Sequence, residues 1–367
     1  MQGTVSFHPI DLEFFDGVIQ PLIEGQKINP ETYLELALRQ RESMARVARY
    51  IGTLETLLEL YEPPPPIAEG KLWDRVRSRL ERFDHRPDPL SVLVRRQVEP
   101  DLHLYGRPFF ITEGSAERVA GLADEYMGCS DGEEVDSLIL DQLLRLDKEL
   151  GKSVELDGPE ERGSSMSYRN ELLGALKEIF DLSQAAATQD RWGPAGGARE
   201  RADRVLSREL PWRAVLLHSR AIPYWIGENV DGLETICKAA GVTLPDFLTP
   251  AWRLLGDACE QYPALRDAMG TELHDDCQVG AFVSPADVPE LLQFLSSEGS
   301  RIIRIATQHG QGPVCSLLLR KIRECAHFAA KHELGYLEAS GIPPMHANVD
   351  DELSTARQVV SVAVDTL

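Results

Sequence analysis

The sequence predicts an α+β protein that is predominantly α-helical and divides into two lobes. Most of the chain repeats apolar residues at three- and four-residue steps, which is the period of an amphipathic helix. Only a few short, separated runs have the composition of strands. At 367 residues, the chain is also longer than the commonest single domain of about 100–150 residues. Two domains, or one large domain with insertions, are therefore expected.

The first long helix is predicted to begin after Asn29, where a capping residue, a proline and an acid follow one another. Apolar residues then recur at helical steps until about Tyr61, and a run of prolines at 63–66 ends the helix. The same period predicts four further helices in the first half of the chain, at about 71–83, 115–126, 133–150 and 169–188.

Two polar breaks interrupt these helices, at 152–167 and 190–208. The second contains a proline and several glycines, so it is the predicted domain boundary. The chain then divides into a mostly helical N-terminal domain (1–190), a linker (191–208) and a C-terminal α+β domain (209–367). In the C-terminal domain the sequence predicts strands at Trp212–Leu217 and Gln358–Val364, and helices at about 232–240, 251–261, 285–296 and 313–331.

One local pattern occurs three times. Short apolar runs beginning at Val5, Phe109 and Ala281 each precede a polar residue and an acidic amphipathic helix. Thr112 and Ser284 are the predicted N-caps of two of these helices. The copies near residues 110 and 282 fit two lobes related by an internal strand–cap–helix repeat. The alternative is that such junctions look alike in unrelated segments.

The charge of the chain limits its partners. Lys and Arg number 38 against 59 Asp and Glu, a net charge of −21. Such a surface repels nucleic acid and anionic lipid unless a local basic patch overrides it, so we expect neither as a partner. No basic leader or membrane-length apolar run is present, which predicts a soluble cytoplasmic protein. Six scattered cysteines predict reduced thiols rather than disulfides.

The acidity is concentrated between residues 113 and 161. This segment has fifteen acids and four bases, about half of the total net charge. A block of this kind is usually a solvated helix face, but it can also form a docking surface for a basic partner. The basic segment 71–99 has a net charge of only +3 and predicts an ordinary helix surface.

The helix predicted after Pro313 carries two stripes. Its apolar stripe contains Cys315 and Cys325, which are therefore expected in the core rather than as nucleophiles. Its cationic stripe follows a glycine turn whose backbone N–H groups could bind an anion. The predicted anion-binding residues are His309, Gly310, Gly312, Arg320, Arg323, His327 and Lys331. The alternative is that the stripe pairs with the protein's own acidic segment.

No metal site or cofactor is predicted. His274, Asp275, Asp276 and Cys277 are potential ligands, but consecutive residues point in different directions. The chain contains no nucleophile elbow, phosphate-binding loop or dinucleotide-binding fingerprint. Catalytic residues are therefore not assigned, and whether the protein is an enzyme stays open.

Two functional hypotheses follow. The first is an acidic cytoplasmic protein-interaction protein, of the inhibitor or immunity type, that binds a basic partner protein. The second is a metal-free enzyme or binding protein for an anionic small molecule, with a cleft near residues 309–331. The concentrated acidity and the missing catalytic motifs favour the first hypothesis.

Overall fold

The computed structural model describes residues 4–63, 66, 71–84, 88–97, 114–154, 165–190, 208–227, 231–255, 270–273 and 277–343. Within these ranges the protein is mostly helical and has one small antiparallel sheet of five strands. This confirms the predicted fold class at that level. None of the described helices is long and apolar enough to cross a bilayer.

The sheet has the strand order β2-β1-β5-β4-β3, and every neighbouring pair is antiparallel. Its longest pairing joins β1 to β5 over six residues, from Val5 opposite Ser340 to Ile10 opposite Gly335. The first strand of the chain therefore lies beside the last described strand. The strands are β1 (Val5–Ile10), β2 (Trp225–Gly227), β3 (Thr249–Pro250), β4 (Val279–Val283) and β5 (Gly335–Ser340).

Most of the helices contribute buried side chains to one hydrophobic core that they share with this sheet. The first helix, α1 (Leu12–Phe14), continues through a π-helical turn at Phe15–Ile19 into α2 (Gln20–Ile23). The other helices are, in chain order, α3 (Glu31–Glu59), α4 (Leu72–Asp84), α5 (Pro89–Gln97), α6 (Ala116–Gly128), α7 (Gly132–Leu146), α8 (Lys148–Ser153), α9 (Ser165–Asp190), α10 (Leu210–His218), α11 (Leu233–Ala239), α12 (Val288–Gln308) and α13 (Gly312–Lys331). Short 3-10 turns occupy Ala251–Leu255 and Pro285–Asp287.

Most of the predicted amphipathic helices are present, but the described part of the predicted helix 251–261 is a 3-10 turn at Ala251–Leu255, and residues 256–261 lie outside the described ranges. Helix α3 covers most of the predicted 29–61, and the side chain of Asn29 accepts a hydrogen bond from the N–H of Glu31 near its start. The predicted helix 133–150 is two helices, because the Asp147 side chain caps α8 through the N–H groups of Glu149 and Leu150. A second N-cap therefore breaks what looked like one periodic run.

The predicted strand at Trp212–Leu217 is wrong, because these residues belong to α10. Every residue of this helix except Arg213 is buried. A helix that is apolar on nearly all sides loses its periodic pattern, so a short one cannot be told from a buried strand by sequence. The indole of Trp212 donates to the Ser340 carbonyl at 2.9 Å, which holds α10 against β5.

Two of the three similar junctions lie in the described ranges. The runs at Val5 and Ala281 form β1 and β4, which flank β5 on opposite sides, and a helix follows each. Ser284 occupies the predicted N-cap position, but its hydroxyl donates to the Asp287 carboxylate instead of accepting from the backbone. The run at Phe109 with Thr112, the linker 191–207, His274–Asp276 and the predicted strand Gln358–Val364 lie outside the described residues.

Candidate functional site

The glycine turn of the predicted anion site connects α12 to α13. Gly310 has a φ of +74°, a conformation that favours glycine. Its N–H donates to the Thr307 carbonyl at 3.1 Å, and the Gln311 N–H donates to the Ala306 carbonyl at 2.8 Å. These two bonds are those of a Schellman ending for α12. The backbone N–H groups of residues 310 and 311 therefore already have partners within the protein.

A cavity of about 290 Å³ lies at this turn, between α11 and the α12–α13 pair. Most of its lining is aliphatic, with polar groups supplied by Asp231, Thr235, His309 and Gln311. Cys315 of α13 also contributes to the lining, and burial raises the pKa of its thiol. No lysine or arginine is among the described lining residues. The cavity therefore suits a small, mainly apolar molecule with one or two hydrogen-bonding groups.

Farther along α13, the arginines contact the protein itself. The Arg320 Nε donates to Glu324 at 3.2 Å, and its Nη2 donates to the Gly114 carbonyl at 3.0 Å. Glu324 is fully buried and also accepts from the indole of Trp225 at 3.1 Å. Arg323 donates to the Leu295 carbonyl of α12. These contacts join α13 to Gly114 just before α6, to β2 and to α12.

The last two turns of α13 face the acidic helix α6. His327 lies 3.4 Å from the Glu117 carboxylate, and Lys331 forms an ion pair with Asp124. His332, just after the helix, contacts the same Asp124 carboxylate. Burial lowers the pKa of His327, an effect that Glu117 opposes and Arg323 reinforces. Two residues of the cationic stripe, His327 and Lys331, thus contact carboxylates of the acidic segment.

The predicted anion-binding residues therefore separate into two groups. His309 lies at the cavity, and Gly310 and Gly312 form the adjoining turn. The four cationic residues 320–331 lie along the rest of α13, where their contacts are with α6, α12 and Glu324. A single anion site that uses all seven residues stays a prediction.

Most of the other described carboxylates of the acidic segment are exposed. Ten of its carboxylates lie in the described residues 114–154, and three of them pair internally, through Arg46, His327 and Lys331. The other seven make no ion pair within the described ranges: Glu125, Asp131, Glu133, Glu134, Asp141, Asp147 and Glu149. We call them the acidic face.

Cys129 lies beside the acidic face. Its thiol lies between α6 and α7 and is partly buried. Burial raises the pKa of the Cys129 thiol, and the charges of Glu134, Asp131 and Glu125 raise it further. Carboxylates from both helices therefore converge on one corner of the protein.

The sequence analysis did not identify the buried carboxylate of Glu338. Glu338 is fully buried in β5, where it accepts from the N–H of Leu233 and from the Tyr336 hydroxyl. Burial raises the pKa of Glu338 to about 7. A lone carboxylate in the apolar run Gly335–Ser340 is the only hint that the sequence gives.

Two buried histidines, His8 of β1 and His218 of α10, lie near each other. His8 stacks on Tyr224 with ring centroids 4.9 Å apart, and His218 accepts from the N–H of Asp11 at 3.1 Å. Burial lowers the pKa of His218 to about 3, and burial together with His218 lowers that of His8. Both rings are therefore neutral at physiological pH.

Within the described ranges no three His, Cys, Asp or Glu side chains are grouped as a metal site would require. No protein-family model, curated protein or solved structure matches this chain. A functional conclusion therefore rests on the acidic face, the cavity and the paired stripe alone.

Proposed function

We propose that this protein is an acidic interaction protein, of the inhibitor or immunity type, that binds a basic protein partner through its acidic face. The observation that carries the proposal is that Glu125, Glu133 and Asp141 of the acidic face are exposed and form no ion pair with a described residue. Like charges that no basic side chain neutralises repel one another, and a cationic partner relieves that repulsion. Electrostatic complementarity of this kind also accelerates association.

The division of the acidic segment supports this interpretation. The α6 carboxylates of Glu117 and Asp124 contact His327 and Lys331 of α13. On α7, in contrast, Glu133 and Asp141 are exposed, and Ser137 lies between them at four-residue steps. Leu144 continues the same line and is 38% exposed. An exposed leucine beside a carboxylate row gives a protein partner an apolar contact as well as a charge contact.

The test is a pulldown from native lysate with the wild-type chain and with the triple variant Glu125→Gln, Glu133→Gln and Asp141→Asn. We expect the wild type to retain a basic protein in stoichiometric amount at low salt and to lose it at high salt. The triple variant should lose it at both.

The matched control removes three exposed carboxylates elsewhere, with Glu55→Gln, Glu59→Gln and Glu290→Gln. It changes the net charge by the same amount and should retain the partner. Equal loss in both variants would show a nonspecific charge effect, and retention by the acidic-face variant would refute the proposal.

The cavity supports a second candidate, a small-molecule binding protein or metal-free enzyme that uses the region 309–331. His309 is the one described lining side chain that can carry a positive charge, so it is the group nearest the cavity that suits an anionic substituent. Native mass spectrometry should then detect a retained small molecule. A variant that fills the cavity, Ala306→Phe, should release it, whereas Ala330→Phe on α13, outside the lining, controls for the added bulk.

We also propose that the segment 191–208 separates two lobes, residues 1–190 and 209–367, which an internal strand–cap–helix repeat relates. The placement of β1 and β4 on either side of β5, each followed by helices, supports the repeat. Because β1 pairs with β2 and β5, the N-terminal lobe contributes a strand to the sheet of the C-terminal lobe.

A further inference from the structure

Helix α4 turns its apolar side to solvent. Leu72, Trp73 and Leu80 are 74%, 79% and 61% exposed, and Val76 is 38% exposed. At 100° per residue these four side chains occupy one arc of the helix. Soluble proteins rarely leave so many large apolar side chains exposed together, so a patch of this kind marks an interaction surface.

The buried side of α4 is polar. Of residues 71–80, Ser78 is buried and all the others are exposed. Ser78 lies roughly opposite the centre of the apolar arc, at the helical period. The one buried position in this range therefore lies on the polar side of the helix, which is the reverse of an amphipathic helix that packs on a core.

Basic residues flank the exposed arc. Arg75, Arg79 and Arg82 follow one another at four- and three-residue steps along one edge, and Arg77 lies beyond the other edge. All four are exposed, and none of them forms an ion pair with a described residue. Arginines at the edge of an apolar stripe that contains tryptophan are the composition of a helix that lies in a membrane interface.

We propose that α4 is a peripheral membrane-binding helix that inserts Leu72, Trp73, Val76 and Leu80 into an anionic bilayer surface, with its arginines on the lipid headgroups. The total charge of −21 does not prevent this, because charges beyond about 8 Å are largely screened at physiological ionic strength. Symmetric pairing of α4 with a second copy is disfavoured, since it would bring like arginine edges together. The proposal is independent of the acidic face.

The test measures co-sedimentation of the full chain with phosphatidylcholine vesicles that contain about one-third phosphatidylserine, and with pure phosphatidylcholine vesicles. We expect binding to the anionic vesicles that weakens as salt increases. The triple variant Arg75→Gln, Arg79→Gln and Arg82→Gln should partition about a hundredfold less, because each basic residue at the surface contributes about fivefold. The double variant Leu72→Gln and Leu80→Gln should lose binding at least as strongly.

Two controls are matched to these variants. Arg118→Gln with Arg145→Gln and Lys148→Gln removes three exposed bases elsewhere, and Met166→Gln removes a side chain that is 63% exposed on α9. Both controls should bind like the wild type. Because all the changed residues are exposed, every variant should fold, which circular dichroism checks.

Three outcomes would overturn the proposal. The first is absence of wild-type binding to anionic vesicles, and the second is equal binding by the α4 variants. The third is a wild-type dimer in light scattering that the leucine variant dissociates without any vesicle binding, which would make the stripe a self-association surface. None of these outcomes bears on the carboxylates of the acidic face.

Discussion

Replacing Arg320 by Gln tests whether the cationic stripe of α13 is structural. The guanidinium is 36% exposed and makes two hydrogen bonds, one to the buried Glu324 carboxylate and one to the Gly114 carbonyl. Both partners are part of the protein, so their loss must appear in the free energy of unfolding. An anion site, in contrast, concentrates like charges that repel when the site is empty.

The expected magnitude follows from these two contacts. A hydrogen bond to a charged group stabilises by about 1.5–3 kcal/mol, and one to a carbonyl by about 0.5–1.5 kcal/mol. Water reaches the exposed third of Arg320 and replaces part of both contacts in the variant. We therefore expect a loss of about 2 kcal/mol, which corresponds to roughly 3 °C in melting temperature for a cooperative unit of this size.

The assay is thermal and urea unfolding of Arg320→Gln beside Lys331→Gln. Lys331 is 53% exposed and pairs with Asp124 at the surface, so its loss should cost only about 0–1 kcal/mol. A double variant Arg320→Gln, Arg323→Gln that melts at or above the wild-type temperature, and that no longer binds inorganic phosphate bound by the wild type, would refute this reasoning. The stripe would then be a binding site.

Four other features give predictions. The pKa of His218 is about 3 in the folded protein and about 6.5 when unfolded, so the unfolded chain takes up the proton. The free energy of unfolding should fall as pH decreases from about 6.5, and a flat denaturation profile there would contradict this. Glu338, with a folded pKa of about 7 above its ordinary 4.5, has the opposite sign. Its contribution is lost as pH rises through 7, so Glu338→Gln should gain stability relative to wild type between about pH 5 and pH 8. In mass-spectrometric labelling, Cys325 should react with a thiol reagent far more slowly than Cys129 in the folded state and quickly in denaturant; fast native labelling would remove Cys325 from the core. Limited proteolysis should cut first within 190–208, and the fragments should still elute together because β1 pairs with β5 over six residues; separate elution would contradict that pairing.

The sequence could predict those parts of the fold that depend on local periodicity. The apolar stripe of α13 is buried as its spacing predicts, including Cys315 and Cys325. The long helix α3 likewise follows its capping and apolar pattern. The strand predicted in place of α10 was wrong because this helix is buried on nearly all sides, so it has no polar face to reveal the helical period.

The order of the strands could not be predicted in this way. Strand β1 lies between β2 and β5, more than 200 residues away in sequence. Nothing in the local pattern of Val5–Ile10 specifies those neighbours, because strand pairing over such separations depends on the packing of the whole core. A division into lobes by composition alone therefore places β1 apart from its own sheet.

The contacts made by the cationic stripe could not be predicted from local spacing either. Spacing placed Arg320, Arg323, His327 and Lys331 along one helix, and it did so correctly. It could not show that α6 lies against that helix, which brings Glu117 and Asp124 to the stripe. The same contact explains why only some of the acidic segment faces solvent. Charges that two helices direct toward each other stabilise the fold, so a search for the partner should begin with the carboxylates that α13 leaves unneutralised.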